Sequence, residues 1–138
     1  MLFLISVILI TGGWDGSAPA LTSVEVFSSS GAPLPCSVPP LPDPRNGHTQ
    51  DGEVACGGGG LWYTLSSCVS LTASGWIESH HLTWERWGHV SWSSPAGLLL
   101  MGGDQEISDW TDWTGTELLT NDSSSSSPDF FDLEYGTR

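Results

Sequence analysis

The stretch RNGHTQDGEVACGG, residues 45–58, joins an Arg-x-Gly-His motif to an apolar run that ends in two glycines. Runs of this kind occur three times, as VILITGG, GEVACGG and GLLLMGG, and successive glycine pairs are 45 residues apart. Self-similarity at a fixed period of roughly 20 to 50 residues indicates a chain built from one repeated supersecondary unit. We therefore predict that the three pairs occupy equivalent positions in three repeats. These pairs are Gly12-Gly13, Gly57-Gly58 and Gly102-Gly103.

Other segments recur in step with the glycine pairs. The motif RWGH, residues 86–89, repeats RNGH after 41 residues. Each glycine pair is followed by a short segment in which polar and apolar residues alternate: SVEVF, SCVSL and TELLT, residues 23–27, 67–71 and 116–120. These segments are bounded by Gly, Pro, Asp and Ser, and no window shows a sustained apolar period of about 3.6 residues. The sequence therefore predicts an all-β fold.

The order of these segments resembles the kelch repeat. In that family Arg and His lie on one strand, a double glycine follows an apolar strand, and an acidic-apolar strand and a tryptophan come next. Trp76 stands in the tryptophan position of the middle repeat. The resemblance implies a β-propeller in which each repeat supplies one four-stranded blade. We accordingly expect a partial β-propeller of about two to three kelch-type blades.

The repeats divide the chain into three expected blades. Residues 1–44 hold an incomplete blade, 45–85 a complete one, and 86–138 a third that includes a low-complexity connector at 121–129. Propellers have roughly four to eight blades, so this number cannot close a ring. The chain is therefore predicted to be a fragment of a larger kelch-like protein. Arg138 is interpreted as the arginine of a further repeat.

The first 20 residues, MLFLISVILITGGWDGSAPA, fit two interpretations. An apolar core followed by Ala18-Pro19-Ala20 is compatible with a cleaved signal peptide, although the positive charge that begins such peptides is absent. The alternative is a blade strand, because VILITGG is in phase with the other two runs. The phase favours the strand. The compartment stays open, with the cytoplasm slightly favoured and secretion expected if residues 1–20 are a signal peptide.

The polar residues of the repeated motif are Arg45, His48, Arg86 and His89. They could line a binding surface around a central channel, but buried polar side chains must find partners. We therefore predict that they form hydrogen bonds within or between blades, as structural residues of the repeat.

Two other groups invite a metal-binding interpretation. The adjacent pair His80 and His81 would point to opposite faces of a strand, which argues against joint chelation of one ion. The acidic loop DQEISDW carries Asp104, Glu106 and Asp109, with Asp112 beyond it, and it is interpreted as a solvated loop rather than a calcium site because it lacks EF-hand spacing. No metal or other cofactor is predicted.

Two tryptophans of that loop are candidate partner contacts. Trp110 and Trp113 follow the third glycine pair, and tryptophan is enriched at the energetic centres of protein interfaces. Packing of both side chains against the blade is the alternative, and the sequence leaves it open.

The charge balance excludes one class of partner. The chain has 138 residues, of which only three are Arg and none is Lys, and its formal net charge is −13. Binding to phosphate backbones or anionic membranes needs Lys or Arg, so nucleic acid is not expected as a partner. No run reaches the roughly 18 apolar residues of a membrane-spanning helix.

The cysteines and one sequon bear on the compartment. Cys36, Cys56 and Cys68 are odd in number and lack CxxC spacing, which favours a free buried thiol for at least one of them over metal binding. The disulfide pairing stays open. Asn121 begins a glycosylation sequon that matters only if the protein is secreted.

Three functions remain in competition. No nucleophile elbow is present and no Lys is available for a Schiff base, so the first hypothesis is a non-enzymatic module for protein–protein interaction. The second is a fragment of a galactose-oxidase-like propeller enzyme whose metal site lies elsewhere. The third is a small secreted acidic protein stapled by a disulfide.

Overall fold

The computed structural model describes residues 7–17, 19–35, 38–60, 62–105 and 115–120. Within these ranges the chain forms nine β-strands and no helix, which confirms the all-β prediction. None of these residues therefore belongs to a helix that could cross a membrane. The strands are β1 (Val7–Thr11), β2 (Val24–Ser28), β3 (Thr49–Asp51), β4 (Val54–Cys56), β5 (Ser67–Thr72), β6 (Gly75–His81), β7 (Val90–Ser94), β8 (Gly97–Met101) and β9 (Thr116–Leu119).

The strands form three antiparallel sheets in chain order. The first sheet contains β1 and β2, the middle sheet contains β3 to β6, and the third sheet contains β7 to β9. Each strand pairs with the one before or after it in the sequence, so every sheet is a simple meander. Among the described residues, the middle sheet alone has four strands, in the order β3-β4-β5-β6.

The pairing register makes the three sheets equivalent. The residue before each glycine pair lies opposite one residue of the next strand, and these pairs are Thr11 with Val24, Cys56 with Cys68, and Met101 with Thr116. The first glycine then donates a backbone hydrogen bond across the same two strands, from Gly12 to Ser23, from Gly57 to Ser67 and from Gly102 to Gly115, at 2.8, 3.1 and 3.0 Å. Strands β1, β4 and β8 are therefore equivalent, and so are β2, β5 and β9.

The apolar core is divided between the two junctions of neighbouring sheets. Each part is built around a leucine four residues before a motif arginine: Leu41 and Leu82 are 2% and 4% exposed. The first cluster contains Leu41, Ala55 and Val69, with Val24 packed against it. The second contains Cys56, Cys68, Leu82 and Leu100, with Val54, Leu98 and Leu119 packed against it. The linkers before the arginines are thus part of the core.

The strands that precede the glycine pairs differ in burial. The sequence predicts burial on both faces for all three, since their apolar residues barely alternate. In β4 consecutive residues, Ala55 and Cys56, are fully buried. In β1, by contrast, Val7, Ile8 and Ile10 are about half exposed, at 55%, 47% and 50%. The difference arises because β4 has a neighbouring sheet on each side among the described residues, whereas β1 has one.

Candidate functional site

Arg45 precedes β3, and its side chain reaches the end of β4 and the start of β5 in the middle sheet. Its side chain is fully buried, and Nη1 donates to the carbonyl oxygens of Gly57 and Ser67 at 2.8 Å each. Nη2 donates to the Ser67 hydroxyl at 2.8 Å. Burial lowers the pKa of this guanidinium from its usual value, while the nearby Asp43 carboxyl opposes that shift. The arginine joins the end of β4 to the start of β5, which explains why the motif recurs with the glycine pair.

Arg86 takes the same position in the third sheet. It is also fully buried, and Nη1 donates to the carbonyl oxygens of Gly102 and Gly115 at 3.3 Å each. These are the equivalents of the two carbonyls that Arg45 binds. Nη2 donates to the Glu117 carboxylate at 3.3 Å. Burial lowers the pKa of Arg86, and the Glu117 charge opposes that shift.

Glu117 connects the arginine to the linker that precedes it. Its side chain is 1% exposed, and Oε1 accepts from the backbone N–H and the hydroxyl of Thr83 at 2.7 and 3.2 Å. In the middle sheet the register places Val69 at this position, and the linker residue equivalent to Thr83 is Pro42. Proline has no N–H to satisfy, so an apolar side chain suffices there. In the third sheet a glutamate on the strand accompanies a linker residue with an N–H to donate, and in the middle sheet a valine accompanies a proline.

The first two glycine pairs are each held against the Arg-x-Gly-His segment of the following sheet. Gly58 N–H donates to the Arg86 carbonyl at 2.8 Å. At Gly57, where φ is +62°, an added Cβ would lie 2.7 Å from both that carbonyl oxygen and the His89 ring. Only glycine tolerates this combination of left-handed backbone and close approach.

The first glycine pair makes the equivalent contacts with the middle sheet. Gly13 N–H donates to the Arg45 carbonyl at 2.7 Å, and a Cβ on Gly12 would collide with Arg45 and His48. Gly103 lies against His89 of its own sheet, as Gly58 lies against His48. The repeated motif is thus an interlock between successive sheets.

The His48 ring is fixed by a short hydrogen-bond chain. Thr11 donates its only hydroxyl proton to Gln50 Oε1 at 2.6 Å, and the Gln50 amide donates to the Gly52 carbonyl at 3.0 Å. The Thr11 oxygen must therefore accept from His48 Nε2, at 2.9 Å, which places the imidazole proton on Nε2. Burial, and next the charge of Arg45, lower the pKa of His48 to about 4.

His89 has the same environment one sheet further along. It is 5% exposed, and its Nε2 lies 2.9 Å from the Thr49 hydroxyl of β3. Burial lowers the pKa of His89 to about 4, with smaller contributions from Arg86 and His48. Both histidines are therefore neutral at pH 7. The two arginines are buried and bind within their own sheets, whereas the half-buried His48 and the buried His89 each bond a threonine hydroxyl of the preceding sheet. This arrangement is suited to holding the sheets together.

The other candidate groups are not assembled into a site. Within the described ranges, no group of three or more His, Cys, Asp or Glu side chains could hold a metal ion. His81 lies on the surface and pairs with Glu78, Nε2 to Oε1, at 2.6 Å. Asp104 exchanges two backbone hydrogen bonds with Trp87 at 2.8 Å. The candidates Glu106, Asp109, Trp110, Asp112 and Trp113 lie outside the described residues.

A disulfide joins Cys56 of β4 to Cys68 of β5. The two residues are directly opposite in the register, with Cα atoms 4.1 Å apart, and both are fully buried. The sequence offered no spacing signal for this pair, because the contact depends on strand register. Cys36 lies outside the described residues.

Exposed aromatic side chains follow the glycine pairs. Trp14 comes directly after Gly13 and is 66% exposed, and Trp62, after the second pair, is 91% exposed. A groove of about 550 Å³ lies between the first sheet and the β3–β4 hairpin. Its walls include Val7, Leu9, Val26, Gln50, Glu53 and Leu71.

Comparison with known proteins adds no relative. No protein-family model matches the chain, and no curated protein matches it significantly.

Proposed function

We propose that this chain is a non-enzymatic protein–protein interaction module built from kelch-like repeats, and that it forms part of a larger β-propeller. The equivalent register of the three sheets and the two buried arginines at the same position support the repeat. The interlock of the first two glycine pairs with the next Arg-x-Gly-His segment supports radial stacking of successive sheets, as in propellers.

In this proposal the exposed side chains of Trp14 and Trp62 contact the protein partner. Each of them follows a glycine pair, Trp14 by one residue and Trp62 by four, and each is mostly exposed. Interfaces concentrate their binding energy in a few aromatic and arginine side chains, and binding residues lie preferentially on loops held by a rigid scaffold. Trp110 and Trp113 also follow a glycine pair in the sequence, seven and ten residues after Gly103.

Quantitative capture tests this function. The immobilised chain is compared with the double variant Trp14→Ala/Trp62→Ala and with Trp92→Ala, a matched control whose tryptophan is 62% exposed on β7. We expect specific proteins whose recovery falls at least tenfold with the double variant and is unchanged with the control. Recovery that is equal for all three chains would contradict the assignment of these loops.

The disulfide favours a second candidate, the small secreted acidic protein. Disulfides persist in oxidising compartments and are rare in the cytosol. Cleavage after Ala20, however, would remove β1, the partner of β2. Mass spectrometry of protein from its natural source distinguishes the two candidates. A first residue at Leu21 together with an intact Cys56–Cys68 bond would support secretion, whereas residues 1–20 retained with reduced thiols would contradict it.

A further inference from the structure

The first sheet carries the acceptors of an arginine site. In the third sheet the Arg86 guanidinium is bound by Gly102 O, Gly115 O and the Glu117 carboxylate. The register gives the equivalent acceptors in the first sheet as Gly12 O, Ser23 O and the Glu25 carboxylate. The first sheet therefore has two backbone carbonyls and one carboxylate at the same positions as the third sheet.

Glu25 and Glu117 occupy the same place in their sheets. Glu25 lies opposite Ile10, and Glu117 lies opposite Leu100. Ile10 and Leu100 both stand two residues before a glycine pair. Leu100 is fully buried beneath Leu82 of the linker. Ile10 is 50% exposed and Glu25 is exposed. Within the described part of the chain, no residue donates a hydrogen bond to the Glu25 carboxylate.

We propose that the outer face of the first sheet, formed by Ile8, Ile10 and Glu25, binds the linker of a further repeat of the same kind. The recognised segment has the pattern Leu-Thr-x-x-Arg, which this chain itself shows at residues 82–86. The inference rests on the proposed interaction function and specifies the chemistry of the partner.

The third sheet shows how such a segment is held. The leucine of the segment covers Ile10, as Leu82 covers Leu100. The threonine N–H and hydroxyl donate to the Glu25 carboxylate, as Thr83 donates to Glu117. The guanidinium donates to the same carboxylate and to two backbone carbonyls. All three donors are thus satisfied by acceptors that are already in place.

Charge favours this occupant over a purely apolar one. Covering Glu25 with apolar side chains would bury a carboxylate without a donor, which is costly. A guanidinium neutralises it and also satisfies the two carbonyls. The chain cannot supply this group from its two described arginines, because Arg45 and Arg86 are buried in their own sheets.

The middle sheet supplies the specificity rule. There Val69 replaces the glutamate and Pro42 replaces the threonine, so the linker that fits a valine strand has no N–H at this position. A first sheet with Glu25 should therefore prefer the segment 81–89, HLTWERWGH, over the segment 41–48, LPDPRNGH.

Peptide binding to the full chain tests the inference. Fluorescein-labelled HLTWERWGH is titrated with the chain and followed by anisotropy, beside the same peptide carrying Arg86→Ala. Because charge-assisted hydrogen bonds are lost, we expect binding to weaken roughly tenfold for the alanine peptide, and by a similar factor for the chain variant Glu25→Gln. Glu85→Gln, which alters an exposed carboxylate of the linker before Arg86, should leave binding unchanged.

A specificity exchange gives the decisive result. The variant Glu25→Val copies the middle sheet and should prefer LPDPRNGH over HLTWERWGH, reversing the order of affinities. Equal binding of the arginine and alanine peptides would overturn the arginine site and leave an apolar face. Failure of both peptides to bind a folded chain that still shows tryptophan-dependent capture would also overturn it, while the proposed interaction function would stand.

Discussion

Arg86 and Glu117 form an ion pair inside the third sheet, with Nη2 and Oε2 3.3 Å apart and side-chain exposures of 0% and 1%. Burial of such a pair is offset only when the remaining donors and acceptors are also satisfied. Here two backbone carbonyls and Thr83 complete the set. The pair therefore determines which linker can lie over β9. Substitution of Glu117 should cost more stability when Thr83 is kept than when Thr83 is changed with it.

The first prediction concerns the match between Glu117 and Thr83. Glu117→Val alone leaves the buried Arg86 guanidinium without its counter-charge and the Thr83 N–H without its acceptor. We expect a loss of about 3 kcal/mol in the free energy of unfolding. The double variant Thr83→Pro/Glu117→Val copies the middle sheet, which has Pro42 and Val69 at these positions, and should recover part of that loss. Urea denaturation measures both values, and a double variant less stable than the single one would contradict the match.

The second prediction concerns the glycine interlock. Gly57→Ala must accept a left-handed φ of +62° and a Cβ 2.7 Å from the Arg86 carbonyl oxygen. Gly52→Ala is a matched control, because its φ is +56° but no atom lies within 4 Å. The control should lose about 1 kcal/mol from backbone strain alone, whereas Gly57→Ala should lose at least about 3 kcal/mol. Similar losses in thermal unfolding would show that the close approach is unimportant.

The third prediction is a pH dependence of stability. His48 and His89 have pKa values of about 4 in the folded chain, and unfolded histidine titrates near 6.5. The unfolded chain therefore binds more protons between these values, and stability falls as the pH falls through this window. Each histidine should contribute a slope of up to about 1.4 kcal/mol per pH unit.

Variants at the two histidines isolate this effect. His48→Gln and His89→Gln keep a hydrogen-bonding side chain but remove the titration. Each should flatten the dependence of the unfolding free energy on pH between pH 6.5 and 5, whatever its effect at pH 7. His81→Gln is the control, because that side chain is exposed. A slope that survives both buried substitutions would contradict the assignment.

The fourth prediction concerns the disulfide. The Cys56–Cys68 bond closes a short loop in the middle sheet, and such bonds stabilise the folded state by about 2 to 4 kcal/mol. Reduction with dithiothreitol should lower the unfolding free energy by this amount. Cys36→Ser should leave the effect of the reductant intact, whereas Cys56→Ala/Cys68→Ala should abolish it. Loss of the reductant effect in Cys36→Ser would indicate a different pairing.

The repeat spacing predicted the strands well, and for a physical reason. Glycine pairs mark places where backbone from the next sheet comes close, so their period reports the sheet period directly. The segments 23–27, 67–71 and 116–120 correspond to β2, β5 and β9, and the apolar runs correspond to β1, β4 and β8. The propeller arrangement itself stays a prediction, because it depends on contacts beyond the described sheets.

The partners of the motif arginines could not be predicted from the sequence. Glu117 occurs in an ordinary alternating segment, and only the register reveals that it faces Arg86 and Thr83. The disulfide was hidden for the same reason, since opposition of Cys56 and Cys68 follows from strand pairing and not from spacing. Exposure of β1 depends on which neighbouring sheet is present, which local sequence does not encode.

The match between linker and strand has a consequence for recombination and engineering of such repeats. The linker Leu41-Pro42 packs on the strand that carries Val69, and the linker Leu82-Thr83 bonds the strand that carries Glu117. Both linkers lie before the motif arginine in the sequence. A graft that starts at Arg45 or Arg86 would separate a strand from the linker it requires. The unit that can be transplanted without loss should therefore begin at Leu41 or Leu82, four residues before the motif by which the repeat is recognised.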